Sequence, residues 1–448
     1  MILLLLLLFC LVDLMSIYLG SIVTNISMTA IIMLMYSGLM VKLANHNNLQ
    51  LQNSNLVTYN NLFFISFFLI FITVIVNFFM GFEINDVNKI LALRNYLFFI
   101  PAIYIGIYDK SLFSKQSFRI LTFVLFLLLI ISAIQSFQST YVEDYSNVIF
   151  AAKEHHWHSF HEHTYFMASS VFNSGKKYSY FLLFTGLFLL SISSLRNKSK
   201  NLSSLIIVLI TISLMLTGSR AVLIIFLGVL ILYLLFFKKN LLLNILMFLF
   251  LISIIGLVGY TIFSSIYFNA VNRLDYLTSF TEIEDYVERL YEFFNLSIFY
   301  SNFSFLGYDF GAHGQERELK NIFTSNNDIK LQSETYIYGN PQTTVFEYPI
   351  KDGGLTKIAA DTGFFGLIFI LFHYCLILIL SLKGLIFSKI KNSKLMFFVS
   401  IMPICWLILF LKTHVFHSNT FTHLIFYISV GLLIKIFIEL DSKKSQIK

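Results

Sequence analysis

Five of the chain's eleven histidines fall within nine positions, HHWHSFHEH at 155–163. Imidazoles at this density serve one of two chemistries. They ligate a divalent metal, or they contact the oxygens of a polar ligand beside a stacking surface such as Trp157. Zinc asks for three or four ligands in a preorganised geometry, and His155, His158 and Glu162 share a face if the tract is helical. No distant Cys or His motif with ligand spacing answers the tract, so a sugar or a diphosphate is the stronger reading. No metal and no cofactor is expected.

Two arginines and a few carboxylates extend the inventory. In TGSRAVLIIF (217–226), Ser219 is a helix cap and Arg220 sits in the first turn, where free N–H groups and a guanidinium together attract phosphate oxygens. The bland alternative is an arginine that snorkels or pairs with Asp361. Arg289 lies in EIEDYVERLYEFFNLSIFY, ahead of FLGYDFGAHG (305–314), where Gly307, Gly311 and Gly314 permit tight turns and His313 is titratable. Asp352, before a Gly-Gly pair, is positioned to accept a proton from a hydroxyl, or simply turns the chain. Asp361 lies deeper in an apolar run and requires a partner or water.

The elements that hold these residues follow from hydropathy. The chain has 448 residues, 57% of them hydrophobic and 12% charged, with 51 phenylalanines, and a mean hydropathy of +0.78. Such a composition predicts an all-α polytopic membrane protein. Apolar runs predict twelve spans, near 2–20, 24–42, 62–80, 91–108, 119–138, 178–195, 203–218, 220–237, 241–263, 356–382, 395–411 and 421–438. The first is read as an uncleaved helix, since it carries Asp13 and lacks a basic leader. Lys and Arg cluster in the short connections and the C-terminal tail, which places those ends and both termini in the cytoplasm. The net charge of +7 is therefore a topology signal and no argument for nucleic acid. Two long polar segments, 139–177 and 264–355, fall on the exported side. The second is too long to be an idle connector. It contains an amphipathic helix with Val287, Leu290, Phe294 and Ile298 on one face, and a hairpin around Gly339-Asn340-Pro341. Cys10, Cys375 and Cys405 all sit in apolar runs and read as packing residues.

Taken in order, TGSRAVLIIF, RLYEFFNLSIFYSNFSFLGYDFG, GGLTKIAADTGFFGLIFI and SSVFNSGKKYSYFLLF (169–184) resemble the O-antigen polymerase and ligase family of bacterial inner-membrane glycosyltransferases. The likeness spans roughly residues 120–385 and rests on the order and placement of the motifs. The resemblance implies a reaction at the exported face: a sugar hydroxyl of one lipid-linked repeat unit attacks the anomeric carbon of a chain on undecaprenyl diphosphate. It implies Arg220 and Arg289 at the departing diphosphate, a base among His313, Asp352 and His163, and a separate chain-length regulator as partner. Ser219, Gly307 and Asp361 belong to its substrate site. Where relatives carry a basic residue ahead of a Phe-x-Asn stretch, this chain has His161 and His163, which become substrate contacts together with Trp157. Asp352-Gly353 replaces the His-Asn pair of many relatives, which favours polymerase over ligase. A lipid-linked oligosaccharide flippase is the rival from another class, although its ionisable residues would be expected in mid-membrane.

Overall fold

A computed structural model describes residues 54–80, 99–108, 114–138, 150, 157–160, 163–166, 168–172, 174–194, 200–237, 305, 354–412 and 420–445, with a scatter of positions between 7 and 35. Among these residues nine helices and one hairpin have defined bounds. In chain order they are α1 (Ser54–Met80), α2 (Phe99–Tyr108), α3 (Lys115–Gln138), β1 (Trp157–Phe160), β2 (His163–Phe166), α4 (Gly175–Ser194), α5 (Lys200–Thr217), α6 (Arg220–Phe237), α7 (Gly354–Ile390), α8 (Lys394–Lys412) and α9 (Thr420–Ser445). The expected spans at 62–80, 119–138, 178–195, 203–218, 220–237, 395–411 and 421–438 each coincide with a helix, most of them longer than the apolar run itself. Among the described residues, three helices are long and apolar enough to cross a membrane, at Lys115–Gln138, Thr362–Ile390 and Lys394–Leu411, and four shorter apolar helices join them. The expected span at 241–263, the amphipathic helix and the 339–341 hairpin lie outside the described residues.

Local chemistry sets the ends of these helices. Gly218, at φ 61°, closes α5 in the left-handed region that glycine enters without a steric penalty. The α7–α8 turn works the same way with Asn392 at φ 52°. There the Ser393 N–H donates to Ser388 O at 2.9 Å, and the Met396 N–H donates to the Ser393 hydroxyl at 3.4 Å, so one helix is closed and the next is capped within three residues. Several hydroxyls inside the spans are satisfied locally. Ser66, Thr73, Thr211, Thr362 and Ser400 each donate to a carbonyl three or four residues back, which spares the apolar interior an orphan polar group.

Two departures from the sequence expectation matter for the site. The expected span at 356–382 belongs to a helix running from Gly354 to Ile390 and broken at Gly363 (φ 66°, ψ −163°), a conformation reserved for glycine. The described residues of the histidine tract are strand. β1 and β2 pair antiparallel with Trp157 opposite Phe166, His158 opposite Tyr165, Ser159 opposite Thr164 and Phe160 opposite His163. A two-stranded hairpin is thus added to an otherwise helical architecture.

Packing joins two groups of helices. α3, α4 and α5 pack together, α7 packs on α1 and α8, α2 packs on α9, and α8 bridges the groups through α4. Trp406, Phe426, Phe410 and Tyr374 pack α7, α8 and α9 together, with Trp406 fully buried and its ring centroid 4.1 Å from that of Phe426. α2 and α9 touch backbone to backbone, because a Cβ on either Gly106 or Gly431 would meet main-chain atoms of the other helix.

Candidate functional site at one end of the bundle

The helices sort their charges by end. Lys389 lies 5.6 Å from the Phe236 ring and Lys394 lies 5.9 Å from the Tyr233 ring, within cation–π range. The C-terminal ends of α6 and α7 and the start of α8 therefore meet at one basic end. α4 and α5 run antiparallel, with Ser193 and Ser203 hydroxyls 3.0 Å apart and Gly186 against Ile210. Helix α6 thus begins, at Arg220, and α7 breaks, at Gly363, away from the basic end. Tyr233 stands ~20 Å along α6 from Arg220 at 1.5 Å per residue.

At that far end the TGSR turn is wired as its sequence predicts. Thr217 donates to Leu214 O at 2.7 Å and accepts from the Ser219 N–H at 3.3 Å. Ser219 occupies the N-cap position, its carbonyl accepting the Leu223 N–H at 3.1 Å, and Arg220 is the first residue of α6. The opening N–H groups of α6 have no partner within the helix.

The stretch 168–172 folds against this turn, which brings together two motifs far apart in sequence. The Ala168 N–H donates to Leu216 O at 3.2 Å. Gln135, fully buried near the end of α3, holds the next two residues. Its Oε1 accepts from the N–H groups of Ser169 (3.1 Å) and Ser170 (2.8 Å), and its Nε2 donates to Ser170 O at 2.8 Å. The Ser170 hydroxyl donates to Leu128 O at 2.9 Å. These bonds hold Ser170 at φ 53°, a conformation that costs an L-residue roughly 1–2 kcal/mol. Phe172 anchors the turn by packing on Tyr178 and Phe181 at 5.6 and 5.0 Å. Ser174 caps α4 through its hydroxyl and the Lys177 N–H (3.3 Å), leaving Lys176 exposed in the first turn.

The sequence expectation overlooked Gln135, Lys176 and Lys177. The two lysines were visible in SSVFNSGKKYSYFLLF, and they stand away from the basic end, so the topology rule does not account for them.

The α7 break gathers a second pair of motifs. Asp361 precedes Gly363 by two residues on α7, and beyond the break the Phe365 N–H donates to Phe305 O at 3.3 Å. The Phe305 ring lies 6.2 Å from Phe364 and 5.7 Å from Phe365. The first residue of FLGYDFGAHG is thus seated on the entry of the span that follows the second polar segment. Arg289, Gly307, His313, Asp352 and His161 lie outside the described residues. The hairpin divides the remaining candidates, because directly opposed residues share a face. His163 falls on the face of His158, Phe160 and Tyr165, whereas Trp157 falls on the other with Ser159, Thr164 and Phe166. Trp157 and His163 therefore stand on opposite faces of the hairpin.

Deeper in the bundle, α7 contributes a buried histidine that the sequence reading also missed. His373 Nδ1 lies 3.0 Å from the Ser66 hydroxyl of α1, and its Nε2 lies 3.3 Å from the Tyr427 hydroxyl of α9. Ser66 spends its one proton on Phe63 O at 2.8 Å, so Nδ1 carries the hydrogen and Nε2 accepts from Tyr427. The rings of Phe63 and Phe67 enclose the imidazole at 4.7 and 5.6 Å. Among the side chains described, no three His, Cys, Asp or Glu gather, and those of the hairpin are not among them. The sequence matches no protein-family model, and no curated protein matches it.

Proposed function

We propose that this chain polymerises undecaprenyl-diphosphate-linked repeat units of O-antigen, or of a related surface polysaccharide, in a bacterial inner membrane. The reading includes twelve spans, both termini in the cytoplasm and the end bearing Arg220 on the exported side. The attacking hydroxyl forms a bond to the anomeric carbon of the donor chain, the bond from that carbon to the diphosphate oxygen breaks, and the lipid diphosphate departs. That departure needs positive charge where negative charge develops. Arg220 supplies it, with the opening N–H groups of its helix and with Lys176 in the first turn of α4 as a further cation, and Arg289 joins from the second exported segment. His161 and His163 contact sugar or diphosphate, and His313, Asp352 and His163 are the candidates for the base. A chain-length regulator is the expected partner.

The observation that carries this reading is the junction of 168–172 with the TGSR turn. The Ala168 N–H bond to Leu216 O joins the segment that leads into an extra pair of lysines to the turn that opens an anion-attracting helix, and Gln135 holds that segment through Ser169 and Ser170. A second reading, a flippase for the same lipid-linked unit, draws on the α7 break at Gly363 and the buried His373, since transporters use discontinuous helices and intramembrane ionisable groups.

Deleting the gene and resolving the surface polysaccharide on a gel separates the readings. Polymerase loss leaves core carrying a single repeat unit, ligase loss leaves polymer on the carrier lipid, and flippase loss strands the unit on the cytoplasmic side. An unchanged ladder refutes all three. Arg220→Ala is expected to give the single-unit pattern at normal protein level. Arg220→Lys is expected to restore activity only in part, because a point charge does not reproduce the guanidinium fork.

A further inference from the structure

The α7–α8 turn holds its positive charge in a more ordered arrangement than orientation in a membrane requires. Lys389, Lys391 and Lys394 are all exposed there. The turn is closed by the Lys391 N–H to Phe387 O (2.9 Å), the Asn392 N–H to Lys389 O (3.3 Å) and the Ser393 N–H to Ser388 O (2.9 Å). The end of α7 and the start of α8 are therefore fixed relative to each other. Lys389 and Lys394 each lie over a ring of α6, Phe236 and Tyr233. Both rings pack on the fully buried Phe397, at 5.4 and 5.8 Å, so two ammonium groups share one aromatic floor. The helices that meet here offer them no counter-ion: α6 contains no Asp or Glu, and none occurs between Asp361 and Glu439. The topology rule counts lysines and does not need their heads held on rings.

We propose that Lys389 and Lys394 form a binding site for the phosphate of an anionic phospholipid. An ammonium lying on a ring still has N–H groups to offer a phosphate oxygen, and it has already given up rotamer freedom that a solvated lysine would lose on binding. Basic groups fixed between helix ends at headgroup level suit an anionic headgroup. A membrane lipid is the occupant, in place of a free phosphate, because Leu382, Ile386 and Ile390 are exposed at four-residue steps on α7 and give acyl chains a surface leading up to the lysines. The site depends on membrane embedding alone and not on the polymerase reading.

The test is lipid retention by the full-length chain. Protein in detergent is given equal amounts of phosphatidylglycerol and phosphatidylcholine, and the bound lipid is counted by native mass spectrometry. The native chain is expected to retain phosphatidylglycerol in preference. Lys389→Gln and Lys394→Gln are each expected to lower that preference about fivefold, and the double variant roughly twentyfold. Lys391→Gln removes the same charge from the same turn, but Lys391 lies over no ring among the described residues, and its loss is expected to cost less than about twofold. Lys389→Arg keeps a cation on the ring and is expected to retain the preference. Equal losses from all three glutamine variants would show a diffuse field and overturn the proposal. So would an absence of preference in the native chain, or displacement of the lipid by millimolar inorganic phosphate, which would assign the lysines to a free anion.

Discussion

Gln135 shows how much a single uncharged side chain can hold in place. It satisfies two buried N–H groups and one carbonyl of the 169–170 turn, and no other described side chain is bonded to those groups. Gln135→Ala leaves them buried without partners, at roughly 1–3 kcal/mol per group. It also releases Ser170 from its left-handed conformation. The variant is expected to unfold at lower temperature in detergent and, on the polymerase reading, to shorten the glycan ladder although it touches no substrate. Gln135→Glu keeps both acceptor bonds but loses the donor to Ser170 O, and is expected to fall between. A stable Gln135→Ala protein with full-length ladders would show that the turn does not need this support. Nothing in the sequence marked Gln135. A polar residue in the last turn of an apolar run reads as an interfacial one, and its partners lie 34 and 35 residues away.

At the scale of elements, hydropathy alone made the helices legible, because burying a backbone in an apolar environment forces it to pair internally. α6 starts and stops where its apolar run does, and Gly218 with Ser219 announced the turn before it. The break in α7 was hidden, because Gly363 stands in ADTGFFG among residues that read as continuous helix, and only its φ and ψ reveal the interruption. The hairpin was hidden for another reason: HHWHSFHEH lacks clean apolar alternation, so neither period stands out. Helix crossings were equally silent. Gly106 and Gly431 each admit the other's backbone, whereas a Cβ at Gly228 would meet nothing within 4 Å. Gly431→Leu is therefore expected to prise α9 from α2 and to abolish the monodisperse peak in detergent size-exclusion chromatography. Gly228→Ala is expected to be neutral or to raise stability by up to about 1 kcal/mol through helix propensity. Similar losses from both substitutions would refute the backbone-contact account.

For the whole molecule, the separation of a basic end from the end bearing Arg220 predicts an orientation that labelling can read. In a chain whose three cysteines are replaced, the Lys176→Cys variant is expected to react with a membrane-impermeant maleimide in intact spheroplasts. Asn392→Cys is expected to react only after permeabilisation, and the reverse pattern would invert the topology proposed here. The same polarity turns α7 into a ruler. From Gly363 to Lys383 is 20 residues, or ~30 Å of helix, about the thickness of the hydrocarbon core. With Lys383, exposed on α7, held at one headgroup layer, the break lies at the other, and Asp361 just beyond it sits at the level of a lipid's diphosphate. A thicker bilayer would draw the break into hydrocarbon or force the helix upright. On the polymerase reading, glycan polymerisation in proteoliposomes is therefore expected to peak in lipids of ordinary acyl length and to fall as the chains are lengthened, so that membrane thickness itself would act as a control on the reaction.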